Sequence, residues 1–73
     1  MTEDQKHWAV MRDQMQAWYD QQEAAGWQSE EVKRCAKRVL LGLSACARNK
    51  IVGAALTRGL AEDTEALAKA RSE

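Results

Sequence analysis

An all-helical fold is predicted by three features of this 73-residue sequence. It has no proline and four glycines, so the two residues that most disfavour a helix interior are rare. Ala, Gln, Glu, Lys, Arg and Leu, all good helix formers, dominate the rest. The β-branched residues (Thr2, Val10, Val32, Val39, Ile51, Val52, Thr57 and Thr64) are scattered, and no segment alternates polar with apolar as a half-buried strand would. The expected architecture is a small three- or four-helix bundle, with helices over about 3–25, 30–48, 50–61 and 63–71. Residues 1–73 form one domain on this reading, because so short a chain supports only one core.

The first helix is read as starting behind Thr2, whose hydroxyl can cap it, with Gln5 completing a capping box. Glu3 and Asp4 then lie at the positive end of the helix dipole. At 100° per residue, Trp8, Met11, Met15, Trp18, Tyr19 and Gln22 fall within an arc of about 100°. Gly26 supplies the residue that can turn left-handed at the helix end, and Trp27 can fold back onto the last turn.

Ser29 is a natural cap for the second helix, with Glu30 and Glu31 in its first turn. Val32, Cys35, Ala36, Val39, Leu40, Leu43, Cys46 and Ala47 share one face. Lys33, Arg34, Lys37, Arg38 and Arg48 occupy the other. An unbroken helix would put Lys50 in the apolar face, so Asn49 is expected to end it in a left-handed turn. A new stripe of Val52, Ala55, Leu56, Gly59 and Leu60 predicts a third helix over about 50–61. Asp63 interrupts that stripe and is expected to cap a frayed last helix carrying Ala66, Leu67 and Ala70, with a single helix over about 50–70 as the alternative. Arg71 to Glu73 are expected to be mobile.

Composition narrows the class of function. Cys35 and Cys46 are eleven residues apart in one helix, roughly 16 Å along its axis, which is beyond disulfide reach. One histidine, His7, and two cysteines do not make the four-ligand set of a structural zinc site. Buried, reduced thiols and a cytoplasmic setting are expected. Met1 is followed by Thr2 and then by the acidic Glu3 and Asp4, where a secretory signal would be basic. The longest uncharged run, Val39 to Ala47, is nine residues, against the roughly 20 a membrane span needs. No metal or cofactor is expected.

Catalysis is not expected either. His7 sits in the first turn of a surface helix, no Ser or Cys stands in a nucleophile motif, and no glycine-rich loop follows a strand. A chain of this size is also expected to lack room for a small-molecule pocket of several hundred Å³.

Charge is zoned although the total is zero. Residues 1–28 carry a net −3, residues 29–50 a net +4 and the remainder −1. Within the second helix, Lys33 with Lys37, Arg34 with Lys37 and Arg34 with Arg38 are like-charge neighbours, each costing roughly 0.2–0.5 kcal/mol. Glu30 and Glu31 can both reach Arg34, and Leu41 projects from this basic side without an apolar neighbour of its own.

Two binding surfaces follow. One is the basic face of Lys33, Arg34, Lys37, Arg38, Leu41 and Arg48, either paired with the acids of the first helix or free to meet a partner. The other is the aromatic and methionine stripe of Trp8, Met11, Met15, Trp18 and Trp27, either packed as core or open to a partner or second copy. In size, composition and charge zoning the chain resembles the small regulators carried by phages and plasmids. That resemblance implies a non-enzymatic inhibitor or modulator of a host machine such as RNA polymerase or a transcription regulator. The expected partner is a protein with an acidic patch, and a homodimer is a further possibility. Nucleic acid is the alternative, disfavoured by a sequence pI of about 6.6 where dedicated DNA-binding domains often exceed 9. A purely structural homo-oligomerising module is the second alternative.

Overall fold

The computed structural model describes residues 2–72. These fold into three helices, α1 (Glu3–Ala25), α2 (Glu30–Arg48) and α3 (Ala54–Ser72), with no strand among the described residues. The expected all-α fold is therefore present, in its three-helix form.

Local chemistry sets the ends of the helices. The Thr2 hydroxyl accepts from the Gln5 backbone N–H at 3.1 Å, and the Gln5 side chain accepts from the Thr2 N–H at 3.0 Å. This reciprocal pair satisfies two backbone donors that the helix start would otherwise leave open. Gly26 closes α1 at φ 95° and donates its N–H to the Gln22 carbonyl at 2.8 Å. No atom lies near the space a Cβ would take there, so glycine is required by backbone conformation and not by crowding. Ser29 caps α2 by accepting from the Val32 N–H at 3.2 Å.

Asn49 ends α2 by a different route from the one expected. It is extended, at φ −100° and ψ 132°, and its side-chain amide donates to the Ala45 carbonyl at 2.6 Å. The amide occupies a carbonyl that the helix end leaves unpaired, so no left-handed residue is needed. Residues 50–53 then run outside any helix, and Lys50 and Ile51 project to solvent. The third helix starts at Ala54, not near 50.

The expected break at Asp63 does not occur, because α3 runs unbroken from Ala54 to Ser72. Leu60, Leu67 and Ala70 are buried on one side of it, and Asp63 lies half-exposed at the seam with α2. A carboxylate at that margin keeps its water. Breaking the helix would instead strand backbone groups on both sides of the gap, with no proline to force it. Arg71 lies in the last turn of α3, and its carbonyl accepts from the Gln28 side-chain amide at 3.2 Å. Glu73 lies outside the described residues, as does Met1.

The three helices form a layer more than a closed bundle. α2 is central and both neighbours pack on it, while no Cα of α1 comes within 8 Å of one in α3. The molecule measures 35 × 23 × 13 Å along its principal axes. α2 supplies seven buried residues, from Val32 to Ala47, and α3 supplies three. α1 supplies none; its Trp8, Met15, Trp18 and Tyr19 are half-buried against the core. Cys35 and Cys46 are free and buried, as expected. No helix among the described residues is long and apolar enough to cross a membrane.

Gly42 sets the approach of α2 to α3, since a Cβ there would stand 3.0 Å from the Leu60 Cδ1. Gly42→Ala gains helix propensity of up to about 1 kcal/mol, and the Leu60 methyl can shift by a few tenths of an ångström. Its unfolding midpoint in urea is expected to stay near the wild-type value. Gly42→Leu must push the helices apart and is expected to lose about 2 kcal/mol. Equal stability of the two variants would contradict this close approach.

Candidate functional site

The gap between α1 and α3 is an open groove of about 720 Å³. Trp8, Met11, Met15 and Trp18 form its α1 wall, and Val39 and Leu43 of α2 form its floor. Thr57, Leu60, Ala61, Thr64, Leu67 and Ala68 form the α3 wall. The expectation that so small a chain has no room for such a space is overturned. The physical reason is that α1 and α3 both pack on α2 while their backbones stay apart, with no Cα of one within 8 Å of a Cα of the other. Few charges line it: Glu65 and Arg71, with Gln14 the other long polar side chain.

The two walls differ in character. The α1 residues recur at intervals of three and four, and so do Thr57, Ala61, Thr64 and Ala68 on α3. Both are one-face spacings of a helix. One wall is bulky and the other small. Met11 remains 39% exposed on the bulky wall.

One end of the groove is ordered by a cluster at the α1–α2 turn. The Trp27 ring meets Tyr19 edge-on at 4.8 Å and Trp18 at 5.6 Å. The Arg71 guanidinium lies 4.9 Å from the centre of a Trp18 ring. The Trp27 indole N–H donates to the Glu23 carboxylate at 2.7 Å, and the Lys33 ammonium pairs with that carboxylate at 3.0 Å. Trp27 thus folds back on the last turn of α1 as expected, half-buried and with its polar atom satisfied.

Glu23 is held below the ordinary carboxylate value of 4.5, first by the Trp27 hydrogen bond and then by Lys33. Lys33 is raised above 10.5, chiefly by its bond to Glu23. A lowered carboxylate stabilises the fold above its unfolded value, and that contribution is lost as pH falls through the folded value. A raised lysine contributes below its unfolded value, and loses that contribution as pH rises through the folded one. The near-UV circular dichroism of the tryptophan cluster is therefore expected to hold between these ranges and to change as pH falls through the lowered value of Glu23. Glu23→Gln should remove the acidic transition. A transition unchanged in that variant would place its origin elsewhere.

The basic face lies on the opposite side of α2. At 100° per residue, Lys37, Arg48, Arg34 and Arg38 centre roughly 180° from Val39 and Leu43. Lys33 is half-buried and taken up by Glu23. Arg34, Lys37, Arg38 and Arg48 are exposed and in no ion pair among the described residues. The acids of α1 therefore pair with one cation of this face and leave four free. Glu30 and Glu31, expected to reach Arg34, make no ion pair with it.

Leu41 is 66% exposed among these cations. Contrary to expectation it has apolar company, a shallow depression of about 380 Å³ shared with Ala45, Ala55, Leu56 and Gly59. Arg38 and Asp63 stand at its edge. The α2–α3 seam creates this company, so α2 considered alone did not show it.

The two surfaces proposed from sequence are thus both present and face apart. The wall from α3 was missed, although the spacing of Thr57, Ala61, Thr64 and Ala68 carried the signal. Ile51, 88% exposed in the α2–α3 connection, was also missed, because the third helix was expected to start near residue 50. Neither cysteine lines the groove, and burial pushes the Cys46 thiol up, away from the thiolate a nucleophile needs. His7 is exposed and meets Trp8 edge-on at 5.2 Å. No group of three or more His, Cys, Asp or Glu side chains is arranged to hold a metal among the described residues. No protein-family model, no curated protein and no solved structure matches this chain.

Proposed function

We propose that this chain is a non-enzymatic regulator that works by protein–protein binding, docking the basic side of α2 on an acidic patch of its partner and occluding it. The observation that carries this reading is the free state of Arg34, Lys37, Arg38 and Arg48. Crowded cations on one helix side repel each other, and an anionic partner relieves that cost while gaining from the field they set up. Leu41 and its small depression supply the apolar contact that charge alone lacks, as interface centres generally require.

The same features favour protein over nucleic acid. Arg34, Lys37 and Arg38 occupy little more than one turn and Arg48 stands ten residues further on, so few phosphates could be met at once. A target in the transcription machinery follows from likeness in size and composition to small phage and plasmid regulators. A cytoplasmic setting is part of the proposal, supported by the two free, buried thiols.

The test is recovery of a partner from lysate of the source cells, compared between wild type and Arg34→Glu with Arg38→Glu. A stoichiometric protein partner is expected, lost in the double variant and regained when acids of the partner's patch are changed to lysine. A partner retained by the double variant would sink the basic-face reading. A shift with random duplex DNA that falls steeply as salt rises would replace it with the nucleic-acid one.

A further inference from the structure

We infer that the groove on the other side of the layer is the interface of a twofold homodimer, in which α1 of each copy lies in the groove of the other. This inference does not rest on the basic-face reading, since it concerns the opposite surface.

The first argument is area. A compact monomer of 8.2 kDa exposes about 4,500 Å² by the usual scaling with mass. This chain exposes 5112 Å², an excess of about 600 Å² over that scaling. That surplus is of the same order as the roughly 800 Å² that each partner contributes to a standard stable interface, as one further copy would require.

The second argument is what the face is made of. α1 is a 23-residue helix with no fully buried side chain, yet it carries Trp8, Met11, Met15 and Trp18 along one line of the groove. Trp and Met are enriched at interface centres. A twofold interface brings a surface against itself, so residue pairs occur twice and any net charge meets its own sign. The lining holds one acid, Glu65, and one base, Arg71, and self-repulsion is minimal. The uncompensated cations are on the far side of α2, where a face-to-face dimer leaves them in solvent.

The third argument is fit. A bulky wall opposite a small one, both with helical spacing, suits a helix inserted between them. The helix that each copy can offer is its own α1. Met11 and Trp18 of one copy then fill space left by Ala61 and Ala68 of the other.

Sedimentation equilibrium across about 5 to 500 μM protein is the measurement. Wild type is expected to approach a mass of two chains at the upper end. Ala61→Arg with Ala68→Arg places two cations in the groove at positions exposed in the single chain. Glu65, four residues from one and three from the other, can pair with both and keep the helix intact. That variant should weaken the dimer at least about 100-fold, because two guanidinium groups would lose their water inside the interface with the single Glu65 carboxylate to offset them. Met11→Glu on the opposite wall should do the same. Helicity by circular dichroism confirms that each variant is folded.

Arg34→Glu with Arg38→Glu should leave the dimer unchanged, which separates this inference from the proposed function. A wild type that stays monomeric at the highest concentration overturns the inference. So does a dimer that survives both groove variants, or one that dissolves when only the basic face is altered.

Discussion

Leu43→Ala is expected to lower the unfolding free energy by about 2–3 kcal/mol, toward the lower end of the range for buried leucines. The side chain is 3% exposed and belongs to both the core and the groove floor. Its loss removes contacts with α2's neighbours on either side. The resulting cavity opens into the groove, so water or Met15 can fill part of it, which places the cost below the roughly 5 kcal/mol of a sealed void. A chain this small holds only about 3–5 kcal/mol in total, so the variant should be partly unfolded at room temperature. Urea titration followed at 222 nm measures this directly. If the groove is a dimer interface, the deficit should shrink as protein concentration rises, because the dimer binds the folded state alone. A midpoint within about 0.5 kcal/mol of wild type would mean that Leu43 is not part of the core.

Gly42 and Leu43 are neighbours with opposite demands. Leu43 must be large to hold the floor, whereas Gly42 must be small because Leu60 of α3 sits where its side chain would be. Exchanging their sizes would fail twice. α2 is therefore the organising element: it supplies the buried side chains, fixes the distance to α3, and presents its charged side away from both neighbours.

What the sequence revealed and what it hid divide along a physical line. Thr2, Gln5, Gly26 and Ser29 were legible because each acts on backbone groups within four residues of itself. The amphipathic stripe of α2 was legible for the same reason: its period is intrinsic to one helix. Asp63 was misread because a stripe treats every polar residue on it as a fault. The seam between two helices has a margin where a carboxylate keeps its water. Asn49 was identified as the stop, but its mechanism was not, since the amide could equally have turned left-handed or bonded back to Ala45.

The groove was not legible at all. Its existence depends on how far apart α2 holds its two neighbours, and no single segment encodes that separation. The stripe of α1 showed apolar residues but not what they would face. Trp8, Met11, Met15 and Trp18 are each only partly used within one chain. Trp27 was better predicted, because a residue just past a helix-ending glycine has one short route back to the last turn.

Reversing Arg34 and Arg38 to glutamate is expected to abolish partner binding, by at least about 100-fold, while leaving the fold near wild-type stability. The two outcomes have separate causes. Binding falls because two attractive charges become repulsive toward an acidic patch, and like-charge juxtaposition across an interface costs several kcal/mol. Stability changes little because the reversals exchange one set of neighbours for another. The Arg34–Lys37 repulsion disappears and the carboxylate introduced at position 34 gains Lys37 three residues on, while the Arg34–Arg38 repulsion is replaced by one of similar size between the two new carboxylates. Against this, the carboxylate at position 34 meets Glu30 and Glu31, and the one introduced at position 38 stands at the same seam as Asp63. Each exposed neighbour term is only about 0.2–0.5 kcal/mol, and they oppose one another. Isothermal titration with the recovered partner and urea unfolding of the same preparation read the two quantities side by side. Binding lost together with several kcal/mol of stability would assign these arginines to the fold. Binding retained with stability unchanged would move the partner's contact to the groove.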